Sequence, residues 1–152
     1  MLNEGDKAPA FKAKDQSGNL VSLSDFKGKK VVLYFYPEDD TPTCTQEACN
    51  LRDNFSLLKK KGFVILGVSP QDVVSHKKFA AKFELPFPLL ADPDRKITEA
   101  YGCWGKKKLF GHEYMGVLRT TFIIDGNGRI EKIFRKVHSN KHTQQILDSY
   151  SE

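Results

Sequence analysis

Lys30-Val31-Val32-Leu33-Tyr34-Phe35-Tyr36 is the run from which the fold can be read. β-Branched and aromatic residues fill it without a polar alternation, which is the pattern of a strand buried on both faces. Pro37 stops it. From Thr45 the apolar positions Ala48, Leu51, Phe55 and Leu58 recur at three and four residues, one face of a helix predicted to end near Lys59 to Gly62. Phe63-Val64-Ile65-Leu66-Gly67-Val68 repeats the buried-strand pattern. A strand, a helix and a second strand of this kind make a mixed α/β unit.

Outward from this unit, Phe11 to Ser24 reads as an N-terminal hairpin around Gln16-Ser17-Gly18-Asn19. Val73 to Phe83 reads as a helix, Phe87-Pro88-Leu89-Leu90 as a short edge segment, and Lys96 to Tyr101 as a helical piece. Thr120 to Asp125 and Ile130 to Phe134 flank Gly126-Asn127-Gly128, a hairpin signal, and Lys141 to Tyr150 forms a closing helix. The order predicts a thioredoxin-like α/β fold: a central mixed sheet flanked by helices, with an N-terminal β-hairpin. Fold order alone assigns no reaction.

The 152 residues, 39% hydrophobic and 28% charged, fit one domain spanning 1–152. The longest apolar run, Val31 to Tyr36, is far short of the roughly 20 residues that cross a bilayer. Met1 to Asp6 lacks the basic start and apolar stretch of a signal peptide, so a cytoplasmic protein without membrane attachment is expected. The net charge of +5 raises nucleic acid as a partner, but Lys59-Lys60-Lys61 and Lys106-Lys107-Lys108 sit apart with no interleaved aromatics. They read as solvated lysines, the first closing a helix and the second decorating a loop.

Three cysteines in a chain of this size are no disulfide framework; each is either core or chemistry. Cys44 lies in Pro37-Glu38-Asp39-Asp40-Thr41-Pro42-Thr43-Cys44-Thr45-Gln46-Glu47-Ala48-Cys49, the junction of the buried strand and the helix after it. A thiol in the first helical turn meets unpaired N–H groups and the positive end of the helix dipole, which favour the thiolate. Thr43 and Gln46 have capping-box spacing, which predicts a helix start just before Cys44. A buried cysteine is the commoner use of a lone thiol, but the polar, proline-stiffened flanks argue against packing here.

Cys49 follows five residues later. In an intact helix the two Cα atoms would be roughly 8 to 9 Å apart and turned by about 140°, whereas a disulfide needs less than about 7 Å. The pair can bond only if the first turns unwind; otherwise Cys49 is a core residue beside Ala48. No second cysteine pair exists, and His76, His112, His138 and His142 lack zinc-like spacing to this one.

At this point the chain resembles the peroxiredoxins, in particular the Q-type, bacterioferritin-comigratory subclass. The family motif of proline, three residues, threonine, two residues and cysteine is met by Pro37, Thr41 and Cys44, and the subclass's second cysteine by Cys49. Gly5 to Phe11, Leu51-Arg52-Asp53, Gly67-Val68-Ser69 and Arg119 to Asp125 agree as well, while Thr43 stands where the subclass commonly carries glycine. The resemblance implies that Cys44 attacks a hydroperoxide and becomes a sulfenic acid, and that Cys49 resolves it as an intramolecular disulfide. It implies that Arg119, the Thr41 hydroxyl and the Cys44 N–H stabilise the moving charge, with Pro37 and Pro42 shaping the pocket. Glu47, one turn after Cys44, either holds Arg119 or is simply a carboxylate near a helix start. A thioredoxin-like reductant and a monomer or weak dimer are implied, and no metal, flavin or haem cofactor. Cys103 matches no family role and reads as structural. A thiol-disulfide oxidoreductase would place two residues between its cysteines, where this chain has four, and a basic binding or chaperone module would leave the pair without use.

Overall fold

The computed structural model describes residues 1–151. β1 (Lys12–Lys14) and β2 (Leu20–Ser22) pair antiparallel as the expected N-terminal hairpin. The central sheet contains β3 (Lys30–Phe35), β4 (Phe63–Ser69), β5 (Leu89–Ala91), β8 (Thr120–Ile124) and β9 (Ile130–Phe134), in the order β5-β4-β3-β8-β9. β3, β4 and β5 run parallel, while β8 runs antiparallel to β3 and β9 antiparallel to β8, so the sheet is mixed. Leu89 and Leu90 lie on an edge strand, as their short run predicts.

Alternation along β3 divides the core. Val31, Leu33 and Phe35 face one layer with Phe11 and with Ile97 and Tyr101, which belong to or adjoin helix α4 (Lys96–Ala100). Val32, Tyr34 and Tyr36 face the other. That second layer holds α1 (Pro42–Asp53), α2 (Phe55–Lys60), α3 (Val73–Lys82) and α5 (His142–Asp148), and it takes in Cys44, Ala48 and Leu51. Tyr34 pairs in register with Gly67 on β4; a Cβ at position 67 would stand 2.9 Å from the Tyr34 ring. Only glycine lets that ring lie flat across the neighbouring strand.

Four expectations are corrected. The long helix is two helices, broken at Asn54, whose side-chain amide donates to the Asn50 carbonyl at 2.8 Å. Such local side-chain bonds compete with the helical ladder. The first helix begins at Pro42 with Thr41 as N-cap, so Thr43 and Gln46 form no capping box. A proline suits this first position because its missing N–H would be unpaired there anyway. Lys106-Lys107-Lys108 lies in a strand, β6 (Trp104–Leu109), which pairs with β7 (His112–Val117) across the two-residue turn Phe110-Gly111. Finally, the closing helix is shorter than expected, with a 3-10 turn at Ser139–Lys141 before α5. No helix among the described residues is long and apolar enough to cross a membrane.

Candidate active site

Cys44 sits in the first turn of α1, two residues after Pro42, and is 2% exposed. The first intrahelical bond is donated by Thr45 to the Thr41 carbonyl at 2.8 Å. The N–H groups of Thr43 and Cys44 precede it, and they and the helix dipole favour negative charge at the sulfur.

Arg119 completes the electrostatics. It lies between β7 and β8 and reaches across the end of the sheet to α1. Its Nη1 donates to Glu47 Oε1 at 2.6 Å, and its Nη2 donates to Cys44 Sγ at 3.2 Å. One planar group thus bridges the thiol and a carboxylate, and its orientation is set by the carboxylate. Of the two readings for Glu47, its place under Arg119 is the one the geometry supports. Glu47 is fully buried, and burial pushes its carboxyl up to about 7 against the downward pull of Arg119. Its second oxygen, Oε2, is buried with no hydrogen-bond partner among the described residues, 3.9 Å from His142 Nε2. His142 is itself buried; it pairs with Thr121 Oγ1 at 2.8 Å, and burial pulls it down to about 4, which keeps it neutral at pH 7.

Thr41 caps the helix, and its hydroxyl donates to the Glu38 carbonyl at 3.0 Å rather than to Cys44. With its hydrogen committed there, Thr41 Oγ1 is left as an acceptor. Pro37 is half-buried and its carbonyl accepts from Ser69 Oγ at 3.4 Å, whereas Pro42 is exposed on the outer surface. Cys49 is half-buried on the same unbroken helix, and burial raises its thiol above the usual range, which favours the protonated form. All three cysteines are free thiols. Cys103 is buried in the opposite core layer, away from this constellation.

The sequence-predicted residues Cys44, Arg119, Glu47 and Thr41 therefore meet at one end of the sheet, while Cys49 stays a turn and a half along the helix. Reading the sequence alone missed Tyr34, whose buried hydroxyl feels both Glu47 and Cys44 and has no hydrogen-bond partner among the described residues. It also missed Lys107, half-buried on β6 and close enough to Arg119 that burial and that charge both lower it. Tyr34 looked like one more strand aromatic, and Lys107 like one of three surface lysines. Two hollows of about 350 and 500 Å³ lie between Lys7–Ala10, Leu23–Lys27 and the Asp125–Gly128 turn and beside α5, away from Cys44.

The AhpC/TSA family matches residues 4–133. Peroxiredoxin Bcp of Bacillus subtilis is 47% identical over 148 residues, covering 97% of this chain and 94% of the relative. Peroxiredoxin Bcp of Escherichia coli is 42% identical over 151 residues, covering 99% and 97%. Among solved structures, a cysteine-to-serine variant of Xylella fastidiosa PrxQ superposes with a TM-score of 0.91 at 29% identity, covering 98% of this chain and 95% of that one. A Xanthomonas campestris bacterioferritin comigratory protein, whose trapped intermediate and ligand complexes address alkyl peroxide reduction, gives a TM-score of 0.85 at 32% identity, covering 91% and 88%. With a thiol at a helix N-terminus held against a half-buried arginine, this chain belongs to the AhpC/TSA family and is a Q-type peroxiredoxin, a thiol-dependent peroxidase.

Proposed function

We propose that Cys44 is the peroxidatic thiol, Cys49 the resolving thiol, and Arg119 and Thr41 the groups that bind and polarise the peroxide. The observation that carries this reading is the 3.2 Å bond from Arg119 Nη2 to Cys44 Sγ, backed by the 2.6 Å pair of Arg119 with buried Glu47. A cation fixed in this way stabilises the thiolate before attack and the departing oxygen during it.

The thiolate attacks one peroxide oxygen and the O–O bond breaks. The other oxygen leaves as hydroxide or alkoxide and takes a proton from solvent, and Cys44 is left as a sulfenic acid. Thr41 Oγ1 accepts the peroxide O–H, consistent with its own hydrogen lying on the Glu38 carbonyl. Pro37 walls the pocket, and Pro42 shapes the helix start. Cys49 then attacks the Cys44 sulfur, the sulfenic oxygen leaves as water, and a disulfide forms. The wound helix holds the two cysteines apart, so this step includes unwinding of α1. An external dithiol reduces the disulfide by exchange.

The reductant in this reading is a thioredoxin-like protein, and the substrates are hydrogen peroxide and organic hydroperoxides, in keeping with the alkyl peroxide reduction of the Xanthomonas relative. The protein works in the cytoplasm as a single domain, a monomer or weak dimer, without nucleic acid or membrane partners. The test is catalytic consumption of hydrogen peroxide with thioredoxin and its reductase, repeated with an alkyl hydroperoxide. Cys44→Ser is expected to abolish turnover with both. Unchanged turnover in that variant would overturn the assignment.

A further inference from the structure

His76 and Asp39 form a buried pair that the chemistry at Cys44 does not use. His76 is fully buried on α3 and both of its ring nitrogens face acceptors. Nε2 lies 3.0 Å from the Leu90 carbonyl, which can only accept, so this nitrogen carries a hydrogen. Nδ1 lies 2.6 Å from Asp39 Oδ2, so one proton is held between the two whichever of them owns it. The same carboxylate accepts from Tyr36 Oη at 2.6 Å and from Ser75 Oγ at 2.7 Å. Buried pairs of this kind add little net stability compared with apolar packing.

The geometry they fix is that of the segment carrying Pro37 and Thr41. Asp39 lies between them. Besides Tyr36 at the end of β3, the side chains among the described residues that tie this segment to the rest of the molecule come from β4, α3 or the turn between them. Ser69 Oγ donates to the Pro37 carbonyl, Gln71 Oε1 accepts from the Asp39 N–H at 3.3 Å, and Lys82 Nζ donates to Asp40 at 2.7 Å. None of these ties depends on α1 being wound. At the other end, Asn50 is fastened to the C-terminal elements: Thr143 N–H donates to its Oδ1 at 2.8 Å, and its Nδ2 donates to the Asn140 carbonyl at 3.2 Å. Both cysteines lie between these two anchors.

We propose that Asp39 and His76 are positioning residues that keep the Pro37–Asp40 side of the peroxide pocket folded while α1 unwinds, so that the moving segment starts after Asp40. After reduction, α1 rewinds onto a pocket wall that never left its place. This rests on the Cys44–Cys49 reading, whose own failure would show separately, as absence of that disulfide in peptide maps.

The test is hydrogen exchange on the wild-type protein, reduced and peroxide-oxidised, read per amide. In the disulfide form the amides of Cys44 to Ala48 are expected to lose protection by at least 100-fold, while the Asp39 amide keeps its reduced-state protection within threefold. Loss of protection at Asp39 together with Cys44 to Ala48 would overturn the proposal. Stopped-flow kinetics of Asp39→Asn and His76→Asn give a second readout. The rate constant for peroxide attack is expected to fall 10- to 100-fold while the rate of disulfide formation stays within threefold. Equal losses in both steps would point to a general structural role and count against it. Should a variant fail to fold, the wild-type exchange measurement decides alone.

Discussion

Cys44 and Cys103 are buried almost equally, 2% and 0% exposed, in opposite layers of one protein, and their surroundings give them opposite chemistry. Cys103 has a backbone carbonyl, that of Tyr101, 3.6 Å from its sulfur, and burial pushes its thiol up to about 11. Cys44 has a guanidinium 3.2 Å away and a helix N-terminus beneath it. Burial alone therefore makes an inert thiol. Burial beside a fixed positive charge makes a nucleophile protected from bulk solvent.

The largest contrast is in turnover: Cys44→Ser is expected to remove peroxidase activity altogether, and retained activity would erase the distinction. Alkylation kinetics sharpen it next. At pH 7.5 a thiol near 11 is ionised in roughly three molecules in ten thousand, so Cys103 should be labelled by iodoacetamide far more slowly than Cys44 in the native protein. Comparable labelling of the two, followed by mass spectrometry, would contradict the account.

Removing the charge should move Cys44 toward the Cys103 condition. Arg119→Met is expected to lower the second-order rate constant with hydrogen peroxide by about 10²- to 10³-fold, with Arg119→Lys losing less. Stopped-flow mixing of reduced protein with peroxide measures this, and an unchanged constant would remove Arg119 from the mechanism.

Glu47 supplies a pH test. Its folded-state carboxyl, raised from 4.5 to about 7, holds a proton that the unfolded chain has released. Its contribution to stability is full below 4.5 and is lost as pH rises through 7, by about 3 kcal/mol. Glu47→Gln does not titrate, so chemical denaturation should show the variant gaining about that much relative to wild type between pH 4.5 and 7. A difference constant with pH would contradict it. The smallest effect is expected at the inert site, where Cys103→Ala should keep peroxidase activity within twofold.

Much of this was legible because the physics was local. The apolar run of β3, the repeat of Ala48 and Leu51 on α1, and the Gly126-Asn127-Gly128 turn each carry their own structural signal. The motif at Pro37, Thr41 and Cys44 marked the site, and Arg119 was found through its family match. What stayed hidden depends on partners far apart in sequence. Lys106-Lys107-Lys108 forms a strand because β7 pairs with it, with Phe110 at φ +50° and Gly111 at φ +82° making a turn that an Asn-Gly signal would have announced. Asp39 and His76, 37 residues apart, looked like a loop acid and an ordinary helix histidine. The helix break at Asn54 depends on a single side-chain bond within an otherwise unbroken apolar period.

The most direct test of the account is to treat the reduced protein with one equivalent of hydrogen peroxide, map the disulfide by peptide mass spectrometry, and record far-ultraviolet circular dichroism on the same sample. The account predicts an intramolecular Cys44–Cys49 disulfide together with a loss of helical signal as α1 unwinds. A Cys44–Cys103 disulfide, a persistent sulfenic acid on Cys44, or a Cys44–Cys49 disulfide with the helical signal intact would contradict it.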